Sequence, residues 1–233
     1  MSRIPETYTN GTYLERSPDW WVGDSSWKAQ QVIRMIRKNN LAPRTICEVG
    51  CGAGEILYQL HSRLSKDIQY TGFEISPQAI ELCKEREREN IVFFLKDFAK
   101  EDGVFFDLIL LIDVIEHVED VRQFLRTVKG KGEFKIFHIP LDLYVLNLIK
   151  ESNLVQGLNH PGHIHFFTKN IALRTLENEG YEIIDHFRTP AFQQEGKTLL
   201  SRLIRPAQSI SHRLNSDLAM RIFGGSSLLV LSK

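Results

Sequence analysis

The sequence has no charge imbalance and no long apolar run, and each absence excludes a class of protein. Lysine plus arginine and aspartate plus glutamate both number 29, so the formal net charge is zero. A neutral chain has no overall electrostatic reason to bind nucleic acid or an anionic membrane. No apolar run reaches the about 18 residues of a membrane span, and the first residues lack a signal-peptide pattern. We therefore expect a cytoplasmic globular protein.

Cysteine is also scarce. Cys47, Cys51 and Cys83 form no Cys-x-x-Cys pair, and three thiols cannot all pair with one another. This usage is typical of a reducing compartment and argues against zinc fingers and disulfide scaffolds. The chain of 233 residues is 42% apolar and 10% aromatic, which is ample for one well-packed core. We predict a single domain over residues 1–233.

The most informative stretch of the chain is 45–54. It is a short apolar run with an acid at Glu48, followed by glycines at 50, 52 and 54. Glycine has no Cβ, so the chain can turn with positive φ and a ligand can approach the bare backbone. A dinucleotide-binding Gly-x-Gly-x-x-Gly loop would need a glycine where Glu55 stands, and an acid would face a pyrophosphate badly. The stretch therefore predicts a first strand and a ligand-binding loop, and disfavours a dehydrogenase.

Further acids stand at the ends of later apolar strands. Glu74 ends a predicted strand over 67–74, Asp97 follows one over 91–95, and Asp113 ends the apolar run that begins at 105. Helices are predicted between and after these strands, over 55–64, 79–90 and 121–128. This alternation predicts a parallel sheet with helices on both faces, which binds ligands beyond the carboxyl ends of its strands. The glycine loop and the three acids should meet at that edge.

Two motifs carry a family resemblance. Glu48-x-Gly-x-Gly-x-Gly54 resembles the first motif of the class I S-adenosylmethionine-dependent methyltransferases, and Asp113-Val-Ile-Glu-His117-Val is similar to the fourth motif of the ubiquinone-type O-methyltransferases. The resemblance implies a Rossmann-like α/β fold: a seven-stranded, mostly parallel sheet, an antiparallel last strand, and a helical insertion before that strand. It implies S-adenosylmethionine as cofactor. The acceptor would be a small molecule, a sugar or a lipid-linked compound, methylated on oxygen.

The resemblance also implies roles for cofactor-binding residues. Glu74 would accept both ribose hydroxyls, Asp97 would hold the adenine amino group with Phe98 against the ring, and Asp113 would lie near the methionine part. The complete predicted set is Glu48, Gly50, Cys51, Gly52, Gly54, Glu74, Ile75, Asp97, Phe98 and Asp113.

Three histidines are candidates for the catalytic base. In-line methyl transfer mainly requires orientation, but a hydroxyl acceptor benefits from a base that titrates near neutrality. His117, at the mouth of the fourth strand, is the first candidate, and His163 and His165 come next. The alternative is that they are hydrogen-bonded walls of the pocket. We predict no metal ligand.

Two alternative functions remain open. Asp113-x-x-Glu116-His117 with the distant His163 is similar to the metal-binding Glu-x-x-Glu-His plus His arrangement of small-RNA 3′-end 2′-O-methyltransferases. The chain departs from this arrangement in two ways. Position 113 is an aspartate, to which the resemblance already assigns a place near the cofactor, and no RNA-end-binding domain is evident. A non-catalytic S-adenosylmethionine-binding protein is the other alternative. The presence of Glu74, Asp97, Asp113 and His117 argues against it, and measured turnover would separate such a binder from an enzyme.

The ends of the chain are predicted to surround the core. Residues 1–25 form an aromatic arm before a helix over 26–38, and Tyr13, Trp20 or Trp21 would line the site or pin the arm. Residues 26–140 form the cofactor-binding core, and residues 141–233 form the acceptor side, with an inserted helix over 141–158.

A second insertion is predicted over 191–224. Its apolar residues fall at helical spacings with arginines among them, and residues 186–233 hold seven basic residues against two acidic ones. We favour a lid or a homodimer helix with a solvated basic face. The alternative is peripheral contact of 197–221 with a membrane or an anionic acceptor.

Overall fold

A single sheet organises the molecule. The structure is a computed structural model that describes residues 10–16, 20, 22–159, 162–190 and 218–233. Its seven strands lie in the order β3-β2-β1-β4-β5-β7-β6. Their bounds are β1 Thr45–Val49, β2 Gln69–Glu74, β3 Ile91–Leu95, β4 Phe106–Ile112, β5 Gly132–Pro140, β6 Ile183–Pro190 and β7 Ser226–Ser232. Strands β1 to β5 pair in parallel, whereas β7 is antiparallel to both β5 and β6. The predicted fold class is confirmed.

Helices connect the strands. Their bounds are α1 Thr12–Arg16, α2 Val22–Lys38, α3 Glu55–Arg63, α4 Pro77–Cys83, α5 Val121–Lys129, α6 Val145–Ile149, α7 Ser152–Asn159 and α8 Lys169–Asn178. Short 3-10 turns cover Lys84–Arg86, Phe98–Lys100 and Ile115–His117, and residues 218–223 are helical. None of the helices within the described ranges has the length and apolar character that a membrane span needs.

Strand β4 shows why the core has two layers. Leu108 and Leu110 belong to the apolar cluster on one face of the sheet, and Ile109 and Leu111 belong to the cluster on the other. Successive side chains of a strand point to opposite faces, so a strand covered on both faces needs an unbroken apolar run. The strand therefore lies in the middle of the molecule, and its carboxyl end opens onto the site.

Three predicted helices differ from the structure, and the first of them, predicted over 26–38, begins earlier, at Val22. The helix predicted over 79–90 ends at Cys83 and gives way to a 3-10 turn and a tight bend. Asn90 donates to the carbonyls of Lys66 and Ile68, and Arg88 and Ile91 exchange backbone hydrogen bonds, so long-range contacts bend the chain into β3. The helix predicted over 141–158 is divided into α6 and α7.

The periphery is described in part. Residue Trp21, the side chain of Tyr13 and residues 191–217 lie outside the described residues, and so does most of the predicted basic insertion. The single-domain organisation, the homodimer and the membrane contact stay predictions.

Candidate active site

The glycine loop joins β1 to α3. Gly50, Gly52 and Gly54 have φ values of +69°, +54° and +76°, as the sequence predicted for a turn without Cβ atoms. The loop is held to the neighbouring strand because Gly50 N–H donates to the Phe73 carbonyl at 2.8 Å. A Cβ on Gly54 would lie 2.6 Å from the Phe93 ring, so the loop also needs glycine for packing. The result is a stretch of bare backbone at the carboxyl edge of the sheet.

A cavity of about 800 Å³ opens at this edge. All of the predicted site residues line it except Gly54 and His165. Trp20 lines it too, with its ring beside Gly52, as predicted for an aromatic of the N-terminal arm. Residues that lie far apart in the sequence therefore share one pocket.

Glu74, at the end of β2, is fixed by the backbone around it. Its Oε2 accepts the Gly52 N–H at 2.9 Å, and its Oε1 accepts the N–H groups of Ile75 and Ser76 at 2.8 and 2.9 Å. Burial raises the pKa of Glu74, while these three hydrogen bonds favour its charged form. A carboxylate has about four acceptor positions, so the side chain retains capacity for one more donor.

Glu48 is a buried acid with an unsatisfied oxygen. It is 1% exposed, and its Oε2 has no hydrogen-bond partner within the part of the chain that the structure covers. Burial, with contributions from Cys83 and Glu74, raises the pKa of Glu48 well above its usual range. A buried polar atom without a partner is costly, so this lining favours a ligand that brings a hydrogen-bond donor.

Asp97 and Phe98 follow β3. Asp97 Oδ1 accepts the Ala99 N–H at 3.1 Å, and Oδ2 pairs with the Lys100 ammonium at 3.0 Å. Phe98 is 2% exposed and packs on Phe73 with ring centroids 5.1 Å apart. Asp97 is therefore the more accessible of the pair, and most of the Phe98 ring belongs to the core. Cys51 is also buried, and none of the chain's three cysteines forms a disulfide.

Asp113 anchors a network at the end of β4. Its backbone is left-handed, with φ +55°. Oδ2 pairs with Lys28 at 2.7 Å, Oδ1 lies 2.6 Å from His138 Nδ1, and His138 Nε2 lies 3.0 Å from Thr189 Oγ1. Burial acts to raise the pKa of Asp113, but Lys28 and His138 outweigh it and hold that pKa below its usual range. The network ties α2 to β4, β5 and β6.

Lys28 and His138 also line the cavity, and sequence reasoning missed both. Lys28 lies on a helix that precedes the motifs in the sequence, and His138 stands between Phe137 and Ile139 in the fifth strand. The available signal was weak: each is a polar residue whose two neighbours in the sequence are apolar. Their contacts with Asp113 form only when the fold brings α2, β4 and β5 together.

A second group lies just beyond β4. Glu116 is fully buried, and neither of its carboxylate oxygens has a hydrogen-bond partner in the described ranges. His117 Nδ1 lies 3.0 Å from the Gly162 carbonyl, and His163 Nδ1 lies 2.7 Å from Asp142 Oδ2. One potential ligand atom from each of Glu116, His117 and His163 lies within 4.8 Å of the others.

The electrostatics of this group are unusual. Burial, and then the nearby Asp113, raises the pKa of Glu116 well above its usual range. Burial and the neighbouring His163 lower the pKa of His117 to about 4. His165 does not line the cavity, and its Nε2 lies 2.8 Å from the Val118 carbonyl oxygen.

The four-residue metal arrangement considered from the sequence does not form as such. Asp113 is engaged with Lys28 and His138, and the potential metal-binding group found in the described ranges contains Glu116, His117 and His163 without it.

Comparison with known proteins settles the family. The family described as a methyltransferase domain matches residues 42–223. The chain belongs to this family. It is a class I S-adenosylmethionine-dependent methyltransferase, and S-adenosylmethionine is its methyl donor.

Relatives of the methyltransferase include both O- and N-methylating enzymes. The ubiquinone biosynthesis O-methyltransferase of Actinobacillus pleuropneumoniae is 23% identical over 201 residues, which are 76% of this chain and 83% of the relative. The ajmaline N-methyltransferase of Rauvolfia serpentina is 36% identical over 114 residues, which are 43% of this chain and 38% of the relative.

Solved structures share the fold. The N-methyltransferase NodS of Bradyrhizobium japonicum WM9, crystallised with S-adenosyl-L-homocysteine, aligns with a TM-score of 0.62 and 18% identity over 97% of both chains. At this identity the likeness describes the fold and leaves the acceptor open.

The lining of the methyltransferase's cavity fits the cofactor. S-adenosylmethionine carries an ammonium, a sulfonium and a ribose, and the cavity offers the unpartnered oxygen of Glu48, the capacity of Glu74 and the bare backbone at Gly50 and Gly52. Carboxylates complement the positive charges and hydroxyls of this ligand.

Proposed function

We propose that this methyltransferase methylates a hydroxyl oxygen of a small-molecule acceptor, a class that includes sugars and lipid-linked compounds. One observation carries the proposal: the cavity that holds the glycine loop and the strand-end acids is also lined by His117 and His163. The O-methylating relative supports it, because its match covers 76% of this chain, whereas the N-methylating relative matches 43%.

On the cofactor side, Glu74 accepts the ribose hydroxyls. Support comes from its orientation, since three backbone N–H groups aim the carboxylate and leave acceptor capacity. Asp97 accepts the adenine amino group, and Glu48 accepts from the ammonium. The roles of Glu74 and Asp97 follow the family resemblance residue by residue, and that of Glu48 follows from its unpartnered oxygen; the position of all three carboxylates on one cavity supports them.

On the acceptor side, the hydroxyl lies against His117 and His163. Orientation supplies much of the rate, because the acceptor oxygen, the methyl carbon and the sulfur must lie in line. His117 as a direct general base stays a prediction. Its lowered pKa of about 4 counts against that role, because a base is most effective when its pKa is near the working pH.

The cofactor half is tested by calorimetric titration with S-adenosyl-L-homocysteine. We expect Glu74→Gln to weaken binding about 10- to 100-fold, since hydrogen bonds to a charged group contribute about 1.5–3 kcal/mol. Glu81→Gln is the matched control, because Glu81 is an exposed acid on the helix that follows Glu74. Equal binding by wild type and Glu74→Gln would overturn the role of Glu74.

The acceptor half is tested by methyl transfer. Labelled S-adenosylmethionine is supplied with pairs of acceptors that share a skeleton and differ in a hydroxyl or an amine. We expect the label on hydroxyl acceptors. Label on the amines alone would contradict the proposal of O-methylation. Cofactor binding without transfer to any acceptor would favour a non-catalytic binding protein.

A further inference from the structure

We propose that His138 and Thr189 are positioning residues for the cofactor. They hold the carboxylate of Asp113 in the place that the amino-acid end of S-adenosylmethionine requires. The inference rests on the proposed roles of Glu74 and Asp97, because these roles fix the direction in which the cofactor lies. It goes beyond them by assigning residues at the other end of the cofactor, whichever acceptor atom is methylated.

The order of the strands gives the cofactor its direction across the cavity. The strands from one edge of the sheet to its middle are β3, β2, β1 and β4. Asp97 follows β3 and Glu74 ends β2. An adenine at Asp97 and a ribose at Glu74 leave the amino-acid end of the cofactor over β1 and β4. Asp113 follows β4 and lines the same cavity, so its carboxylate lies at the end of the cofactor that carries the ammonium.

Asp113 has a backbone conformation that its surroundings must hold. Its φ of +55° lies in the left-handed region, which is uncommon for residues other than glycine. His138 holds both parts of the residue. Its backbone carbonyl accepts the Asp113 N–H at 3.0 Å, and its Nδ1 lies 2.6 Å from Asp113 Oδ1. Lys28 holds the other carboxylate oxygen at 2.7 Å. The direction of the Asp113 side chain therefore depends on His138 and Lys28.

Thr189 fixes the ring of His138 from the edge of the sheet. Thr189 lies on β6, and β7 separates this strand from β5, which carries His138. The Thr189 Oγ1 lies 3.0 Å from His138 Nε2, and both residues are buried. Trp27 packs edge-on against the same ring, with centroids 6.2 Å apart. Because Nδ1 contacts Asp113 and Nε2 contacts Thr189, the ring cannot turn without losing a hydrogen bond.

Thr189 can act on the ligand only through His138. Asp113, His138 and Lys28 line the cavity, whereas Thr189 does not. A carboxylate that is already in position accepts the ammonium of the cofactor without first being ordered, and such preorganisation raises affinity. Loss of the Thr189 hydroxyl should therefore weaken ligands that carry the amino-acid end. Ligands that lack this end should bind as before.

Calorimetric titration with two ligands tests this contrast. S-adenosyl-L-homocysteine carries the amino-acid end, and 5′-methylthioadenosine has the adenine, ribose and thioether without it. We expect Thr189→Val to weaken the first ligand about 3- to 10-fold, as the loss of one hydrogen bond does, and to leave the second unchanged. Thr189→Ser keeps the hydroxyl and should restore wild-type affinity. Thr71→Val is the matched control, because Thr71 is a strand threonine on β2 that does not line the cavity.

A second variant tests whether Thr189 acts through the histidine ring. His138→Phe keeps a ring and removes both nitrogens. We expect it to weaken S-adenosyl-L-homocysteine about 10- to 100-fold, because a hydrogen bond to the charged Asp113 is lost. Thr189→Val should add no further loss in the His138→Phe background, since the two residues act as a unit.

The outcomes separate the inference from the proposed cofactor roles. Circular dichroism shows which variants are folded, and Thr189→Ala repeats the contrast if Thr189→Val does not fold. A folded Thr189 variant that binds both ligands as wild type does, or weakens both equally, overturns the inference. An equal effect of Thr189→Val with and without His138 overturns it too. The proposed roles fail separately: Glu74→Gln that binds both ligands as wild type does would overturn the direction of the cofactor, whatever Thr189→Val does.

Discussion

Gly54 shows how a single residue serves both the fold and the site. It caps α3 in a left-handed conformation, and an added Cβ would lie 2.6 Å from the Phe93 ring and 3.2 Å from Cys83 Sγ. The residue does not line the cavity, but it ends the loop that does. Its role is therefore indirect, through the position of Gly50 and Gly52.

We expect Gly54→Ala to lower stability and to weaken cofactor binding. A suitable control is Gly103→Ala, because Gly103 has a similar φ of +71° and no atom within 4 Å of an added Cβ. The backbone strain should be similar in the two variants, and the clash with Phe93 should cost Gly54→Ala about 1–3 kcal/mol more. Urea unfolding of both variants checks this, and equal midpoints would contradict the packing argument.

Residue chemistry was predictable where it was local. Gly50, Glu74 and Asp97 each stand at a strand end that their own neighbours reveal. Lys28 and His138 were not predictable, because their interest lies in a shared partner, Asp113, that is distant from both in sequence. Likewise, the burial that leaves Glu116 without partners is a property of the packed molecule.

At the scale of elements, the end of α2 is fastened to the edge strand β6. Lys38 Nζ lies 2.8 Å from Asp185 Oδ1, and Asn39 Nδ2 donates to Asp185 Oδ2 at 3.0 Å. The same helix carries Lys28 to the cavity. This attachment therefore helps to position the Lys28–Asp113 pair.

We expect Asp185→Asn to change the pH dependence of stability. Burial acts to raise the pKa of Asp185, but the hydrogen bonds from Lys38 and Asn39 outweigh it, so its pKa in the folded protein is lowered. A lowered carboxyl pKa gives stability that is present above the unfolded value of about 3.9 and is lost as the pH falls through the folded value. The variant should be less stable by about 1 kcal/mol at pH 7, and the difference should shrink below about pH 4.

Denaturant unfolding at several pH values measures this difference. Asp102→Asn, which changes an exposed loop aspartate, is the control and should show no comparable trend. A difference between Asp185→Asn and wild type that stays constant from pH 7 to pH 3 would show that charge does not contribute.

Elements with strong local signals were predicted well. The strand over 91–95 has the predicted bounds, because its five residues form one continuous apolar run. The helix predicted over 79–90 was wrong beyond Cys83, because its charged residues are good helix formers and the bend depends on contacts with Lys66 and Ile68. Local propensity yields to tertiary contacts at such points.

At the scale of the molecule, the cavity is a product of topology. The parallel strands β1, β2, β3 and β4 all end at one edge, so four loops of unrelated sequence contribute to one pocket. The parallel pairing of these strands was predictable from the alternation of strands and helices. The shape of the proposed acceptor side was not, because it is formed by 3-10 and loop segments near Glu116 and His163, which have no period of their own.

A ligand that spans several elements should stabilise the whole fold. At a concentration of 100 times its Kd, S-adenosyl-L-homocysteine should add about 2.7 kcal/mol to the free energy of unfolding, since it binds the assembled pocket and not the separated loops. For a domain of this size, that corresponds to a rise in Tm of about 5–10 °C.

Thermal unfolding with and without ligand measures this rise. Glu74→Gln at the same ligand concentration should show a smaller rise, because a weaker Kd lowers the saturation, whereas the control Glu81→Gln should match wild type. A rise that is equal in all three proteins would mean that the ligand binds without Glu74. Because the strand ends are brought together by the sheet itself, an unchanged wild-type Tm would contradict the central placement of the cofactor pocket.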